Sequence, residues 1–320
     1  MATTGEIAVV SEQIFARRTL TVSEHRGTSL DGELLQFAGQ RRAGAGLFLQ
    51  VATVARLVRL NSGITSAAGA ILTASMVVPP IQATQMALIA AVVVTLSNGG
   101  YALNDICDRA IDKINQPGRP IPAGRISVPH ALLIGSGNIA AAVVLAVPLS
   151  RWCIALTLTD AALLVAYAVW SKRLGPLKNI LIGYLVASGF LIGAYNWDRI
   201  DPVVAVLAAC AFFGTIAREM VKDVQDIEGD RYHGARTLPI MFGSHIAYVA
   251  TSACLALCVI LAGVPYVMGL VNNAYMGLLL VAVGVFLIGW RLRHASARLC
   301  QYMIMAGSIV VLVAFAIGYV

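Results

Sequence analysis

Apolar stretches long enough to cross a bilayer recur along most of this 320-residue chain, with polar gaps between them. A transmembrane helix needs roughly 17 to 25 predominantly apolar residues, so the stretches predict a multi-pass integral membrane protein. The composition agrees, because 58% of the residues are hydrophobic and only 12% are charged, which lies outside the usual balance of a soluble domain. The nine predicted spans are residues 62–80, 85–104, 131–149, 152–170, 179–196, 202–219, 246–266, 271–290 and 300–320.

The distribution of Lys and Arg predicts the orientation of these spans. Basic residues collect in cytoplasmic loops, and a nine-span topology puts 21 of the 23 basic residues on one face, leaving Arg151 and Arg199 opposite. We therefore expect a cell-membrane protein with a cytoplasmic N-terminus and an external C-terminus. Because topology already explains the net charge of +7, we expect the lipid bilayer, and no nucleic acid, as the charged partner.

The chain divides into a short tail and one long membrane region. Residues 1–50 are polar and mixed, and we expect a tail that is flexible or lies at the membrane surface. Residues 51–320 contain no linker long enough to separate domains. The predicted fold is an all-α membrane protein, with nine transmembrane helices surrounding a central cavity that opens to the cytoplasmic face.

Two aspartate triplets with identical spacing interrupt this apolar sequence. They occur in NDICDRAID and DVQDIEGD, with aspartates at relative positions 0, 3 and 7. Since a helix turns by about 100° per residue, this spacing predicts three carboxylates along one helix face. The row is roughly 10 Å long, comparable with a diphosphate and its metals. The triplets are Asp105, Asp108 and Asp112, and Asp223, Asp226 and Asp230.

Six carboxylates in a membrane protein require compensation. One Asp at the centre of a lipid-facing helix costs about 2.5 to 3.5 kcal/mol, so the triplets are expected at helix ends that face a polar cavity. Neighbouring carboxylates also repel one another unless they share a cation. Magnesium prefers hard oxygen ligands and commonly joins carboxylates to substrate phosphates. All six aspartates are therefore predicted ligands of Mg²⁺ at a diphosphate site.

Other polar residues are candidates for the remainder of the site. Basic side chains can hold phosphate oxygens that no metal binds, although topology alone also makes these loops basic. Tyr167 can reach a head group or stabilise a cation through its ring, or serve as an ordinary interfacial tyrosine. Asp160 lies inside a span and is either an acceptor-orienting group or base, or a neutral hydrogen-bonded residue. The candidate diphosphate-binding residues are Asn61, Asn104, Lys172, Arg173, Lys178, Lys222 and Arg236.

Both motifs resemble the signatures of a known family. NDICDRAIDKINQPGRPIPAGRIS, residues 104–127, is similar to the first signature of the UbiA superfamily of intramembrane prenyltransferases, NDxxDxxxDxxNxPxRPxxxG. KDVQDIEGDRYHGARTLPIMFG, residues 222–243, is similar to the second. Within the superfamily the two motif sequences look most similar to those of the archaeal digeranylgeranylglyceryl phosphate synthase branch, and next to those of the chlorophyll synthase branch.

The resemblance implies a reaction. Magnesium on the six aspartates would neutralise the diphosphate of an allylic prenyl donor, and departure of the diphosphate would leave an allylic cation. A hydrophobic, aromatic or glycerophosphate acceptor would then attack this cation while apolar walls exclude water. Arg119 and Arg125, in the loop after the first triplet, are candidates for binding an anionic acceptor.

The acceptor and the exact reaction remain open at this level. Within the family, alternatives are a quinone or meroterpenoid prenyltransferase with an aromatic acceptor, a chlorophyll synthase-like enzyme and a terpene cyclase. A lipid or metal transporter belongs to a different class. Transporters carry acids near the midplane of the membrane, whereas both triplets are predicted on one face, so prenyl transfer is favoured.

Overall fold

The computed structural model describes residues 49–76, 82–194, 200–232 and 234–319, and only the backbone of residues 171–173. Within these ranges the chain is helical, apart from turns and one isolated bridge between Val271 and Tyr319. The predicted tail lies almost wholly outside the described residues, and residues 49–57 are helical. The expected all-α class is confirmed.

Eleven helices follow in the described ranges after residues 49–57. In chain order they are α1 (Leu60–Ser75), α2 (Ala83–Cys107), α3 (Arg109–Asn115), α4 (Val128–Ala146), α5 (Arg151–Leu174), α6 (Leu177–Gly193), α7 (Pro202–Gln225), α8 (Ile227–Tyr232), α9 (Leu238–Val267), α10 (Asn273–Leu292) and α11 (Ala297–Gly318).

Seven of the described helices are long and apolar enough to cross a membrane. These are α2, α4, α5, α7, α9, α10 and α11. The first and fifth predicted spans coincide with two shorter helices, α1 with 16 residues and α6 with 17, and both predicted spans run on into residues that the structure does not describe. Seven such helices make the chain a multi-pass membrane protein.

Side-chain caps fix where several of these helices begin. A side-chain oxygen at the N-cap accepts a hydrogen bond from a backbone N–H in the first turn, which satisfies one of the donors left unpaired at a helix start. The spans predicted from residues 131 and 300 begin after the observed starts of α4 at Val128 and α11 at Ala297, because His130 and Arg298 make these first turns less apolar. The capping residues are Ser127, Ser150, Asp201, Asn272 and Ser296.

The described helices pack around three apolar cores. The largest joins α6, α7, α9, α10 and α11, the second joins α1, α2, α4, α5 and α6, and a small third core joins Leu57 to α2 and α4. The helices α1 and α6 approach closely at Gly193, where a Cβ would overlap Thr73 and the Ala70 carbonyl. The Thr73 hydroxyl donates to the Phe190 carbonyl across this contact at 2.8 Å. Small residues and interhelical hydrogen bonds are the usual means of such close packing in membranes.

Both aspartate triplets lie across a break between a long helix and a short one. Asp108 separates α2 from α3 with φ −88° and ψ 1°, and Asp226 separates α7 from α8 with φ −95° and ψ 8°. Neither triplet therefore lies on one uninterrupted helix, although all three aspartates of the second triplet still border the same space. Asp is a poor helix former and aligned carboxylates repel one another, so a bend at the middle aspartate is favoured in both motifs.

Candidate active site between the two aspartate motifs

The two breaks border one polar cavity of about 70 Å³. The short helices α3 and α8 contact each other, and they meet so closely at Gly229 that a Cβ there would overlap the Asn115 side chain. This contact holds the ends of the two motifs together, although more than a hundred residues separate them in the sequence.

Five of the six triplet aspartates line this cavity, and one does not. The exception is Asp105, which is 1% exposed and lies behind the cavity wall. Arg59 Nη2 lies 2.7 Å and Arg119 Nη1 lies 3.1 Å from Asp105 Oδ1, and Arg119 also pairs with Asp112. Asp105 therefore orients two guanidinium groups in this arrangement. The lining aspartates are Asp108, Asp112, Asp223, Asp226 and Asp230.

The second triplet is only partly neutralised. Lys178 Nζ lies 2.7 Å from Asp223 Oδ1, and the Asn179 amide donates to Asp223 Oδ2 at 3.0 Å. Asp226 and Asp230 form no side-chain ion pair with the described residues. Burial raises the pKa of Asp230 to about 6, and it raises the pKa of Asp226 as well.

The first triplet shows the same electrostatic strain. Burial raises the pKa of Asp112 to about 6 even though Arg119 opposes the shift. Carboxyl groups with raised pKa values in one cavity are a common property of catalytic and metal sites. Added positive charge in the cavity would favour their ionised form.

The charge network of the site includes Glu219 and Arg59, which the aspartate motifs do not predict. Glu219 is buried, lines the cavity and pairs with Arg218 at 2.7 Å and Lys222 at 3.6 Å. It lies one helical turn before Asp223, and that spacing was the available signal. The sequence assigns Arg59 only to the basic side of the membrane, yet its guanidinium pairs with Asp105 and lies 4.7 Å from the centroid of the Tyr101 ring.

The remaining predicted site residues fall into two groups. Most of them reach a cavity, while the exposed residues Asn61 and Arg125 do not line either of the two described cavities. The side chains of Lys172 and Arg173 lie outside the described residues. Those that line the polar cavity are Asn104, Arg119, Tyr167, Lys178, Lys222 and Arg236.

A second, larger cavity of about 1000 Å³ adjoins the polar one and shares Asn104, Arg119 and Tyr167 with it. Much of its wall is apolar, contributed by residues of α2, α5 and α6. Asp160 borders it and is 1% exposed, and the Ser188 hydroxyl donates to Asp160 Oδ2 at 2.5 Å. The pair of cavities can hold a molecule with a charged head and an apolar chain.

The donor atoms of the polar cavity suit a hard divalent cation. Asn104 donates through Nδ2 to Asp108 at 2.9 Å, while its buried Oδ1 has no hydrogen-bond partner among the described residues. Together with the carboxylates around it, this oxygen makes an all-oxygen donor set. Among the described residues no three acidic, His or Cys side chains form a ready-made cluster. Mg²⁺ needs only one or two carboxylates when substrate phosphates complete its shell, so the residues fit this ion.

Comparison with known proteins agrees with the two motifs and the helical fold. The model of the UbiA prenyltransferase family matches residues 62–318. The chain belongs to this family. Digeranylgeranylglyceryl phosphate synthase from Haloquadratum walsbyi is 40% identical over 220 residues, which are 68% of this chain and 77% of that protein.

Solved structures of the family have the same fold. A structure described for digeranylgeranylglyceryl phosphate synthase in membranes aligns with TM-score 0.68 and 28% identity, over 84% of this chain and 98% of that one. A UbiA homologue from Archaeoglobus fulgidus, solved with GPP and Mg²⁺, aligns with TM-score 0.66 and 17% identity over 82% and 98% of the two chains. The second similarity shows the fold alone. The chain is therefore a membrane-embedded prenyltransferase.

Proposed function

We propose that this UbiA-family enzyme uses Mg²⁺ to transfer a prenyl group from an allylic diphosphate to a geranylgeranylglyceryl phosphate-like acceptor. The observation that carries the proposal is the junction of two cavities, one lined by five aspartates and the other with an apolar wall on α2, α5 and α6. The relatives named for digeranylgeranylglyceryl phosphate synthesis support the choice of acceptor.

The chain's own residues supply binding, orientation and exclusion of water. When bound, the metal supplies positive charge that stabilises the departing diphosphate. Lys178, Lys222 and Arg236 line the same cavity and can hold the remaining phosphate oxygens. Tyr167, which borders both cavities, can stabilise the allylic cation through its ring. The apolar wall keeps water away from this cation until the acceptor hydroxyl attacks.

The proposal assigns a role to each triplet aspartate. Asp105 acts through Arg59 and Arg119, while the other triplet aspartates and Asn104 provide metal ligands.

The proposal also covers the membrane topology. Residues 51–320 form one transmembrane domain with nine spans, which are the seven longer helices together with α1 and α6. The polar cavity opens to the cytoplasmic side of the cell membrane, as the one-sided distribution of basic residues supports.

Asp226→Asn tests the metal-dependent mechanism. Asp226 has no side-chain ion pair in the described part of the chain, so this change removes charge without releasing a buried partner. We expect kcat to fall by roughly 100-fold or more, the usual effect of losing one group that stabilises transition-state charge. Removal of divalent metal with EDTA should abolish turnover, and added Mg²⁺ should restore it.

Asp201→Asn is the matched control, because Asp201 caps α7 at its other end and Asn caps equally well. Its activity should match that of the wild type. An active Asp226→Asn enzyme that also tolerates EDTA would contradict the mechanism.

A matrix of donors and acceptors tests the choice of substrate. Purified enzyme is incubated with geranyl, farnesyl or geranylgeranyl diphosphate and with geranylgeranylglyceryl phosphate or aromatic acceptors. The proposal requires transfer to the glycerophosphate. Transfer only to an aromatic compound would overturn the acceptor, and a cyclic product from donor alone would indicate a terpene cyclase.

A further inference from the structure

One face of α6 leads from the polar cavity into the large one. Each of its cavity-facing residues lies three or four positions from another one, as positions on one helix face must. The first is a lysine and all the others are apolar or glycine. They are Lys178 on the polar cavity, and Ile182, Leu185, Val186, Gly189 and Ile192 on the large cavity.

A matching face of α2 borders the same space. The helices α2 and α6 contact each other, and α2 presents Asn104 and Tyr101 near the aspartates, then Gly100, Ser97, Leu96 and Val93 further along. Away from the polar cavity the lining residues of both helices are thus mainly apolar. We call the space between these two faces the tail channel, because a chain with a charged head at the aspartates would lie along it.

Packing against neighbouring helices does not explain why residue 189, in the tail channel, is a glycine. Gly189 is buried, yet a Cβ placed there would meet only Val93 Cγ1, at an ordinary contact distance of 3.7 Å. Two other glycines of α6 behave differently, because a Cβ would overlap Ile216 at Gly183 and Thr73 at Gly193. Those two positions are filled by neighbouring helices, whereas the space in front of Gly189 belongs to the cavity.

The distance along α6 from Lys178 to Gly189 can be compared with the length of a prenyl tail. Gly189 follows Lys178 by eleven residues, or roughly 16 Å at about 1.5 Å per residue. An extended chain gains about 3.3 to 3.6 Å for every three bonds. On that basis the main chain of a geranyl group spans roughly 8 Å and that of a geranylgeranyl group roughly 17 Å. A geranylgeranyl tail therefore reaches Gly189, and a geranyl tail ends well before it.

We propose that Gly189 admits the distal end of a twenty-carbon donor tail and so sets the length of prenyl chain that the enzyme accepts. The inference rests on the proposed function in taking a prenyl diphosphate as donor, but it is independent of the acceptor. A larger side chain at position 189 would project into the tail channel and displace long donors while leaving short ones in place.

Gly189→Leu tests this proposal, with Gly189→Ala as a milder variant. Binding of unreactive geranyl and geranylgeranyl thiolodiphosphates is measured with Mg²⁺ on purified protein, without acceptor. We expect Gly189→Leu to weaken binding of the geranylgeranyl analogue by roughly tenfold or more, since a few methylene groups in an apolar pocket discriminate by roughly 10 to 200-fold. Binding of the geranyl analogue should stay unchanged, and Gly189→Ala should lie between Gly189→Leu and the wild type.

Gly137→Leu is the matched control, because Gly137 is exposed, lies outside both described cavities and has no neighbour within 4 Å of an added Cβ. It should retain the wild-type preference. The proposal would be overturned if Gly189→Leu bound each analogue as tightly as the wild type does. It would also be overturned if Gly189→Leu weakened the binding of both analogues by the same factor. If Gly189→Leu fails to fold, an unchanged preference in Gly189→Ala would overturn it. A shift in chain-length preference without any transfer to glycerophosphate would uphold Gly189 and reject only the proposed acceptor.

Discussion

Arg59 illustrates how much a single residue of this site depends on long-range structure. It lies 46 residues before its ion-pair partner Asp105. Among the described non-glycine residues it alone has a positive φ, with φ 48° and ψ 53°. Such backbone strain costs on the order of 1 to 3 kcal/mol and persists where the surroundings impose it, commonly at functional sites. Its pairing with Asp105 and its position beside the Tyr101 ring are the surroundings that do so here.

Replacing Arg59 with Ala is expected to impair catalysis. A hydrogen bond to a charged group contributes about 1.5 to 3 kcal/mol, so kcat/KM for the prenyl donor should fall by roughly tenfold or more. Arg59→Lys keeps the charge but loses the planar fork, and its activity should be intermediate. Steady-state kinetics on the purified variants measure both effects.

Arg109 provides the control for Arg59, because it is exposed and donates to the backbone carbonyl of Ile106. Arg109→Ala should retain activity within a factor of about two, as most surface substitutions do. If Arg59→Ala kept the activity of Arg109→Ala, Asp105 would not act through Arg59.

At the scale of helices, the same long-helix, aspartate, short-helix arrangement occurs twice. In each copy the backbone hydrogen bond from the third aspartate to the second continues across the bend, at 2.8 Å for Asp112 and 2.9 Å for Asp230. The bend therefore redirects the short helix without unwinding it. The contact of Asn115 with Gly229 then fixes the distance between the two short helices, and with it the width of the polar cavity.

Gly229→Ala is expected to widen that cavity, because the added methyl group overlaps the Asn115 side chain. Overpacking of this kind costs typically about 1 to 3 kcal/mol, so Mg²⁺-dependent binding of geranyl thiolodiphosphate should weaken by roughly fivefold or more. The double variant Gly229→Ala, Asn115→Ala removes the overlap. Its loss of binding free energy should be smaller than the sum of the losses in the two single variants. If the losses were additive, the contact would not set the cavity width.

At the scale of the whole molecule, charge asymmetry and site position support the same orientation. The predicted nine-span topology places 21 of the 23 basic residues on the face that carries the aspartates. A site at this end can receive charged, water-soluble head groups from one side of the membrane while the apolar cavity receives their chains. We therefore predict that the aspartate end is cytoplasmic.

Cysteine labelling in intact cells tests this orientation. Met268 is 58% exposed just after α9, at the end of the molecule away from the aspartates, and Gly118 lies in the exposed loop that follows α3. A membrane-impermeant maleimide should label Met268→Cys in intact cells and Gly118→Cys only after permeabilisation, each measured against the parent chain with its native cysteines. The reverse pattern would show that the protein is inserted the other way round.

Local sequence patterns were enough to predict the class of the protein and a diphosphate site. Hydropathy is a property of contiguous residues, so it predicted the apolar helices, and the two motifs each lie within nine residues or fewer, which made their repeated spacing visible. The family resemblance rested on the same local patterns. These features need no knowledge of which helices become neighbours.

Which residues share the site depends on how the helices pack against one another. It placed Asp105 behind the cavity wall, brought Arg59 and Glu219 into the charge network and left Asn61 and Arg125 exposed outside the two described cavities. It also bent both motifs at their middle aspartate. Each of these outcomes depends on contacts between side chains of helices that are far apart in the sequence. The energy of an ion pair or of a close packing contact depends on the distance between the two groups, which local sequence does not specify.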